Sequence, residues 1–468
     1  MKLSKNDIIE RLEITDVTAE GNGVGHIAAP DGSGAAVFVS GAVTGDVIRC
    51  KIVKEQKSYY YGIILELLTP SPDRADRGCN VKNTCGGCVF RHISYSAELK
   101  IKENIVKNAF VRLGKFPEDS FEYEPIEGCT ETDGYRNKAQ YPVAADRDGK
   151  TVCGFYANRS HRVIPCTDCK LQPDIFSDIL RFTMEYVNRK HISPYNEKTG
   201  TGLLRHIYIR RGYHSGEIAV CFVVRKNISR ELCPLGTELM SRFPEIKSVM
   251  MNINPANTNV IMGDKLQCIA GEEYITDTMC GNKIILNPLS FYQVNTPQAE
   301  RLYAIAADYA ALTGTEDVLD LYCGAGTIGL SIADRAGHVT GAEIIPEAVV
   351  SAKQNAENNN IRNADFICAD AGQAAKQLLD SGRKPDVIIT DPPRKGCDEL
   401  TLDSIVKMAP ERIVMISCNP ATAARDCRYL ADKGYRLVRV RAVDMFPAAG
   451  HVECVCLMEK EQNLSKKI

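Results

Sequence analysis

Short apolar runs alternate with amphipathic stretches through the second half of the chain. The apolar runs are rich in β-branched residues and end at turn signals, so they predict buried strands at residues 317–321, 339–342, 366–368, 387–390 and 412–416. Helices are predicted from near Pro297, after the glycine turn at 324–329, and from Pro346 to about Asn359. Strands that alternate with helices predict an α/β fold with a doubly wound parallel sheet.

The N-terminal part has a different pattern, in which short runs are separated by glycine-rich turns. These runs predict strands at residues 12–17, 24–26, 35–39, 47–53 and 59–65. That spacing is typical of a small OB-like β-barrel, a fold that commonly binds nucleic acid. The segment Pro70-Ser71-Pro72-Asp73 then predicts a linker.

The central part combines an amphipathic helix, predicted over 95–113, with strands predicted at residues 139–144, 204–209, 218–224 and 249–253. Basic residues accompany these strands: Arg136, Lys138, Arg159, Arg162, Arg205, His206, Arg210 and Arg211. As a set they favour an RNA-binding groove, although a solvated surface is the better explanation for any single arginine. We therefore predict three domains: 1–68, a β-barrel; 69–267, a mixed, β-rich central domain; and 268–468, an α/β domain.

Composition excludes several classes of protein. The 468 residues carry 57 Lys and Arg against 59 Asp and Glu, so any nucleic-acid contact must come from local patches. Tryptophan is absent, which leaves Tyr, Phe, His and Arg to stack on bases. The charged N-terminus and the lack of long apolar runs predict a cytoplasmic protein without membrane spans.

The chain has 19 cysteines, and in a cytoplasmic protein these predict metal, core or catalytic positions rather than disulfides. Cys79, Cys85 and Cys88 are closely spaced, with Gly86-Gly87 among them, and a fourth thiol is available at Cys166 or Cys169. Such a set suits zinc or an iron–sulfur cluster, and the spacing alone leaves both open.

A second set of motifs predicts chemistry at the strand ends of the α/β domain. Cys418 and Asp391 each directly follow a predicted strand, where open α/β sheets bind their ligands. The turn Gly324-Ala325-Gly326 is followed by Glu343 about one helix later, a pattern shared by dinucleotide and methyl-donor sites. The preceding Asp320-Leu321-Tyr322 and the Asp391-Pro392-Pro393 strand end favour S-adenosylmethionine, and so a methyltransferase.

The order of these motifs resembles the bacterial 23S ribosomal RNA uracil-C5 methyltransferases. It runs from a TRAM-like "EGNGVGHI … AVFVSGAVTGDVIRCKI" through the cysteine set, F-Y-Q-V-N, L-D-L-Y-C-G-A-G-T, D-P-P-R-K-G and S-C-N-P to H-V-E. The resemblance spans nearly the whole chain. It implies a class I S-adenosylmethionine-dependent methyltransferase fold, an RNA-binding TRAM barrel, and RNA as the partner with no obligate protein partner.

The same resemblance implies roles for individual residues. Cys418 would be the nucleophile and Glu453 the base. The cofactor positions would be Gln293, Tyr322, Glu343, Asp370 and Asp391. The ligands of a [4Fe–4S] cluster would be Cys79, Cys85, Cys88 and Cys169, with Cys166 an additional thiol that competes for the fourth place.

The implied chemistry is covalent. A Cys418 thiolate would add to C6 of uracil, which makes C5 nucleophilic enough to take a methyl group, and Glu453 would then remove the C5 hydrogen. A free cysteine has a pKa of about 8.5, so Cys418 needs a local device, and Arg394 is the candidate. The target uridine must leave any base stack first.

Three alternatives remain at this point. Relatives that act on transfer RNA typically lack the barrel and the cluster, so the sequence favours ribosomal RNA over transfer RNA. A non-catalytic RNA-binding factor for ribosome assembly would not need Cys418, Glu453 and Asp391. A radical methylthiotransferase would need a C-x3-C-x2-C triad, which the chain lacks.

Overall fold

The N-terminal region is a closed barrel. The computed structural model describes residues 3–28, 34–82 and 84–461. The first strands are β1 Ile8–Val17, β2 Asn22–Ala28, β3 Gly34–Ser40, β4 Val47–Glu55 and β5 Tyr59–Thr69. They close in the order β1-β2-β3-β5-β4, as the sequence pattern predicted.

Alternation along the strands separates the inside of the barrel from its outside. Leu12, Ile14, Val37 and Ile48 fill the interior and are almost completely buried. Tyr59 and Tyr61 point the other way and pack edge-to-face, with ring centroids 5.6 Å apart. The period of two in the sequence therefore produces a filled core and an aromatic outer surface.

The central region is an antiparallel-rich sheet with two helices packed on it. In chain order the elements are α1 Tyr95–Asn108, a π-helical turn Ala109–Leu113, β6 Glu122–Glu127, β7 Lys138–Ala145, β8 Thr151–Tyr156, β9 Val163–Pro165, α2 Asp174–Arg189, β10 Leu204–Arg211, β11 Ile218–Val224, α3 Ser229–Arg242, β12 Ile246–Ile253 and β13 Lys265–Gly271. The central sheet has the order β13-β12-β11-β10-β7-β8-β9. Strands β7, β10, β11 and β12 agree with those predicted from the apolar runs, whereas β8, β9 and β13 were not predicted.

The remaining elements form the α/β region. They are β14 Ile275–Met279, β15 Asn282–Leu286, α4 Thr296–Ala310, β16 Asp317–Leu321, α5 Thr327–Ile332, a 3-10 turn Ala333–Arg335, β17 His338–Glu343, α6 Pro346–Asn358, β18 Ala364–Cys368, α7 Ala371–Asp380, β19 Val387–Thr390, α8 Glu399–Met408, β20 Arg412–Ser417, α9 Pro420–Ala431, β21 Tyr435–Val443 and β22 Glu453–Lys460. Strands β16 to β20 are parallel to their neighbours, in the order β18-β17-β16-β19-β20, so the predicted doubly wound sheet is present.

This sheet continues beyond β20 in a way that the sequence pattern did not predict. Strands β22 and β21 add to the β20 edge, with β22 antiparallel to both of its neighbours. Strand β6 then pairs in parallel with β21, although it precedes the central sheet in the chain. The domain limits at 68 and 267 stay a prediction, since β6 lies in the C-terminal sheet and β13 runs across residue 267.

A buried ionic cluster fastens α1 to the loop that precedes β22. The Lys102 ammonium donates to Glu98 at 2.7 Å, to Asp444 at 2.7 Å and to the Phe446 carbonyl at 3.0 Å. Tyr95 donates to the other Asp444 oxygen at 2.9 Å, and the Ala448 amide donates to Glu98 at 2.6 Å. Buried charges that are paired in this way hold their elements in one arrangement, because breaking a pair would leave a buried charge without its partner.

Candidate active site

The glycine turn after β16 has the conformation that its sequence demands. Gly324 and Gly326 have φ values of 55° and 80°, which favour glycine, and Tyr322 also adopts a left-handed φ of 67°. The Gly326 amide donates to the Cys323 carbonyl at 2.8 Å and the helix α5 begins directly afterwards. The turn therefore brings backbone close to the carboxyl edge of the sheet, at the point between β16 and β19 where the order of the strands reverses.

Glu343 closes this turn from the end of β17. Its carboxylate accepts the Gly324 amide at 3.1 Å and the Ile345 amide at 2.9 Å. The two following side chains, Ile344 and Ile345, are 59% and 54% exposed, which is unusual for isoleucine. A carboxylate beside an exposed apolar pair suits a ribose diol and an adenine ring. The isoleucine pair was not singled out in the sequence, where only its position directly after the acid could have indicated it.

The other predicted cofactor residues surround the same edge. Asp370 caps α7 and accepts the Gly372 amide at 3.1 Å, and Tyr322 lies 3.5 Å from the Thr401 hydroxyl, oxygen to oxygen. Gln293 lies in the loop before α4, where Asn137, directly before β7, donates to the Gln293 carbonyl at 2.7 Å. The central sheet thus fixes the loop that carries Gln293.

Cys418 and Glu453 are brought together by strand pairing. The antiparallel register of β20 and β22 ends with Ser417 opposite Cys454, and Cys418 and Glu453 are the next residues along the two chains, close enough for the Glu453 charge to act on the Cys418 thiol. Directly opposed residues of such strands project to one face with Cβ atoms about 5 Å apart. Two residues far apart in the sequence therefore share one face of the sheet edge.

The turn that carries Cys418 is held by its neighbours. Asn419 caps α9 by accepting the Ala421 amide at 3.2 Å, and its side-chain amide donates to the Arg394 carbonyl at 3.0 Å. The Arg394 guanidinium lies 3.2 Å from Nε2 of His451. The Asp391 strand end and the Cys418 turn are therefore linked through Arg394.

Burial governs the protonation of this group of residues. It raises the pKa of the Cys418 thiol to about 11, with Glu453 and Asp391 adding to the increase and Arg394 opposing it. Burial likewise raises the pKa of Glu453 to about 8 and that of Asp391 to about 6. Arg394 acts in the direction expected of a thiolate-stabilising device, but its effect is smaller than the cost of burial.

A cavity of about 510 Å³ opens beside Cys418. Arg394 and His451 line it, as do residues of the α1 end and the barrel residue Ala19. Cys418, the Arg394 loop that follows β19 and the turn between β1 and β2 of the barrel therefore line one cavity.

The cysteine set lies apart from this cavity but touches the loop before β22. Cys88 and Cys169 pack on a small cluster of Tyr135, Leu171 and Ala448, and the Val89 and Phe90 amides both donate to the Ala448 carbonyl, at 2.9 and 3.0 Å. In residues 3–28, 34–82 and 84–461, no group of three or more His, Cys, Asp or Glu side chains is arranged to hold a metal ion. The predicted metal site is therefore not shown by this geometry.

Comparison with known proteins places this site in a family. The family model described as tRNA (uracil-5-)-methyltransferase matches residues 215–461, which include Cys418, Glu453 and the glycine turn. The chain belongs to the RNA uracil-C5 methyltransferases. An uncharacterized RNA methyltransferase of Halalkalibacterium halodurans is 42% identical over 98% of both chains, and one of Staphylococcus epidermidis is 39% identical over 99% of this chain and 100% of its own length.

A solved structure extends the likeness to this uracil-C5 methyltransferase's full architecture. The tRNA (uracil-54, C5)-methyltransferase of Pyrococcus abyssi, in complex with S-adenosyl-L-homocysteine, has a TM-score of 0.76 and 25% identity, and covers 96% of this chain and 100% of its own. The α/β region thus has the class I S-adenosylmethionine-dependent methyltransferase fold. An alignment of that extent includes barrel residues, so the barrel does not by itself separate ribosomal from transfer RNA targets.

We expect Glu343→Ala to weaken binding of S-adenosylhomocysteine by about 10- to 100-fold, because it removes a charged acceptor worth about 1.5–3 kcal/mol. Isothermal titration calorimetry measures the change directly. Glu357→Ala, on an exposed face of α6, is the matched control. An unchanged dissociation constant in Glu343→Ala, with the fold intact by circular dichroism, would remove Glu343 from the cofactor site.

No helix in the described part of this uracil-C5 methyltransferase combines the length and the apolarity that a bilayer span requires.

Proposed function

We propose that the protein methylates C5 of a uridine in 23S ribosomal RNA through a covalent bond between Cys418 and uracil C6. The observation that carries the proposal is that Cys418 and Glu453 lie next to each other just beyond the paired Ser417 and Cys454, at the carboxyl edge of the sheet beside Asp391. A nucleophile and a base on one face, next to a cofactor-type glycine turn, match what C5 methylation requires.

The first step is addition of the Cys418 sulfur to C6. The C5–C6 π pair moves onto C5 and O4, giving an enolate. Because burial keeps the Cys418 pKa near 11, its proton must go to a neighbouring acceptor, and the Glu453 carboxylate is the adjacent one. Arg394 favours the thiolate electrostatically and lies where negative charge develops.

S-adenosylmethionine, when bound, supplies the methyl group that C5 takes. Glu343, Tyr322, Gln293, Asp370 and Asp391 would hold it along the sheet edge, and the backbone turn at Gly324–Gly326 leaves room for it. Asp391 is half-buried beside both Cys418 and Glu453, so it can orient the donor relative to the reacting carbon.

The last step returns the enzyme to its starting state. Glu453, which has by then passed the thiol proton to water, takes the proton from C5, the C5–H electron pair re-forms the C5=C6 bond, and the sulfur leaves C6 as a thiolate that recovers a proton from Glu453. Glu453 is only 6% exposed and its raised pKa makes it a stronger base than an ordinary carboxylate.

The RNA target is tested by methyl transfer in vitro. RNA is prepared from a strain that lacks this gene, and 23S ribosomal RNA and transfer RNA are offered separately with labelled S-adenosylmethionine. We expect 5-methyluridine, identified by nucleoside mass spectrometry, in the 23S fraction. Label in transfer RNA alone would make transfer RNA the target, as it is for the Pyrococcus abyssi enzyme, and label in neither would overturn the proposal.

We further propose that Cys79, Cys85, Cys88 and Cys169 hold a [4Fe–4S] cluster. Burial raises the pKa of the Cys88 thiol to about 12, and Cys169, Cys85 and Cys79 add to that increase, so the four thiols lie within electrostatic reach of one another. A cluster separates its ligand sulfurs more than one metal ion does, because each thiolate binds a different iron. Such a cluster would tie the 79–88 segment to residue 169, a structural role.

Iron and sulfide analysis tests the cluster. Protein purified without oxygen should contain about four iron and four sulfide per chain. Both should be lost in Cys88→Ser and Cys169→Ser, and retained in Cys166→Ser and in the control Cys268→Ser. Zinc in place of iron would contradict the cluster, and loss in Cys166→Ser but not in Cys169→Ser would reassign the fourth ligand.

A further inference from the structure

The cavity beside Cys418 is larger than its proposed target needs. Its volume of about 510 Å³ is that of sites for drug-sized molecules, and a single uracil ring against Cys418 leaves much of it unfilled. Nothing in the C5 chemistry above uses the far wall, which is built from the end of α1 and the π-helical turn.

That far wall is apolar, and its outermost residue is exposed. Ile105, Ala109 and Leu113 line it, and the Leu113 side chain is 63% exposed. The π-helical turn that presents Leu113 is closed by the Gly114 amide, which donates to the Ala109 carbonyl at 2.9 Å. Turns of this kind are rare and occur frequently at functional sites.

Two polar side chains stand beside this apolar surface. Asn108 and Arg112 are four residues apart, so they are neighbours on the helix surface, and both line the cavity. Both are exposed, and in the described part of the chain neither side chain has a hydrogen bond or an ion pair with another residue. An unpaired guanidinium beside an apolar surface suits a phosphate and the base attached to it.

The walls are held at a fixed separation. The Lys102 cluster fastens α1 to the loop before β22, and Phe110 anchors the π-helical turn through Phe116 and Phe121, at ring-centroid distances of 6.3 and 6.2 Å. On the other side the barrel contacts Gly450 so closely that a Cβ there would lie 1.9 Å from the Ala19 carbonyl oxygen. The cavity is therefore preformed.

We infer that this cavity holds two consecutive nucleotides, the target uridine at Cys418 and one neighbour whose base packs on Leu113 and Ile105 while Arg112 meets a phosphate. The inference rests on the proposed function. The neighbour is the natural occupant because it is covalently attached to the uridine and the far wall is continuous with the Cys418 surface. Contacts between this neighbouring nucleotide and the far wall would therefore help to determine which uridine the enzyme accepts.

The test measures protection of Cys418 from iodoacetamide, followed by mass spectrometry of its peptide, with uridine monophosphate and the dinucleotides ApU and UpA as probes. We expect at least one dinucleotide to protect at a concentration about tenfold below that of the mononucleotide. In Leu113→Ala and in Arg112→Gln this preference should fall to about twofold or less.

Val260→Ala and Arg230→Gln are the matched controls. Val260 is also 63% exposed and Arg230 is an exposed arginine on α3, so both should keep the dinucleotide preference. Equal protection by all probes in the wild-type protein, no protection by any, or an unchanged preference in both far-wall variants would overturn the inference. Protection needs no turnover, so its outcome is separate from that of the methyl-transfer assay.

Discussion

Replacing Cys418 with alanine is expected to lower methyl transfer to RNA by at least about 1,000-fold, since the uracil ring then has no nucleophile to activate C5. The variant should also form no covalent complex with RNA that contains 5-fluorouridine. In that RNA fluorine replaces the C5 hydrogen, so the wild-type adduct cannot be resolved and accumulates. Denaturing gel electrophoresis of labelled RNA measures the adduct.

Cys233→Ala is the control for this experiment, because Cys233 lies on α3, away from the β20 edge. It should form the adduct at the wild-type rate. Undiminished adduct in Cys418→Ala would mean that another residue attacks the ring, and the covalent mechanism proposed for Cys418 would be wrong.

The second large effect is expected at Glu453. Glu453→Gln keeps the shape of the side chain but cannot accept the C5 proton, so turnover should fall by about 100- to 10,000-fold. In this variant the thiol proton passes to Asp391 or water instead of Glu453, so the methylated adduct should form and persist even on ordinary uridine RNA. A covalent protein–RNA band that increases in this variant, without fluorine, is the measurement.

The role of Glu453 as a base also predicts how the rate of product release changes with pH. Glu453 acts as a base only when it is deprotonated, and burial raises its pKa to about 8. Release of product should therefore become faster as the pH rises through about 8, and this rise should be absent in Glu453→Gln. Normal turnover in the variant, or an unchanged pH profile, would place the base elsewhere.

The amino-acid pattern was sufficient for the parallel strands and the barrel. Five apolar runs became β16 to β20 with small changes at their ends, because a strand buried on both faces must be apolar throughout. The glycine turn was equally readable, since Gly324 and Gly326 have the positive φ values that few other residues adopt.

The pairing of β20 with β22, which brings Cys418 close to Glu453, could not be predicted from the sequence pattern in the same way. The alternating 435–443 run and the apolar 453–460 run carried strand signals that were not interpreted, and β22 lies between β20 and β21 rather than in chain order. Long-range register depends on which edge is free to pair, and a local pattern does not contain that information. The direction of the Cys418 pKa shift also needed the structure, because the effect of burial, which raises this pKa, is larger than the effect of Arg394, which lowers it.

The attachment of α1 to the loop before β22 limits how the molecule can be divided. A fragment that began after residue 267 would lose α1, and with it both Lys102 and Tyr95, so Asp444 and the loop before β22 would lose the partners that hold them in place. The fragment would also lose β6, which covers the β21 edge. The methyl-transferring half is therefore not a self-sufficient minimal enzyme, and gene truncations at that point should yield insoluble protein.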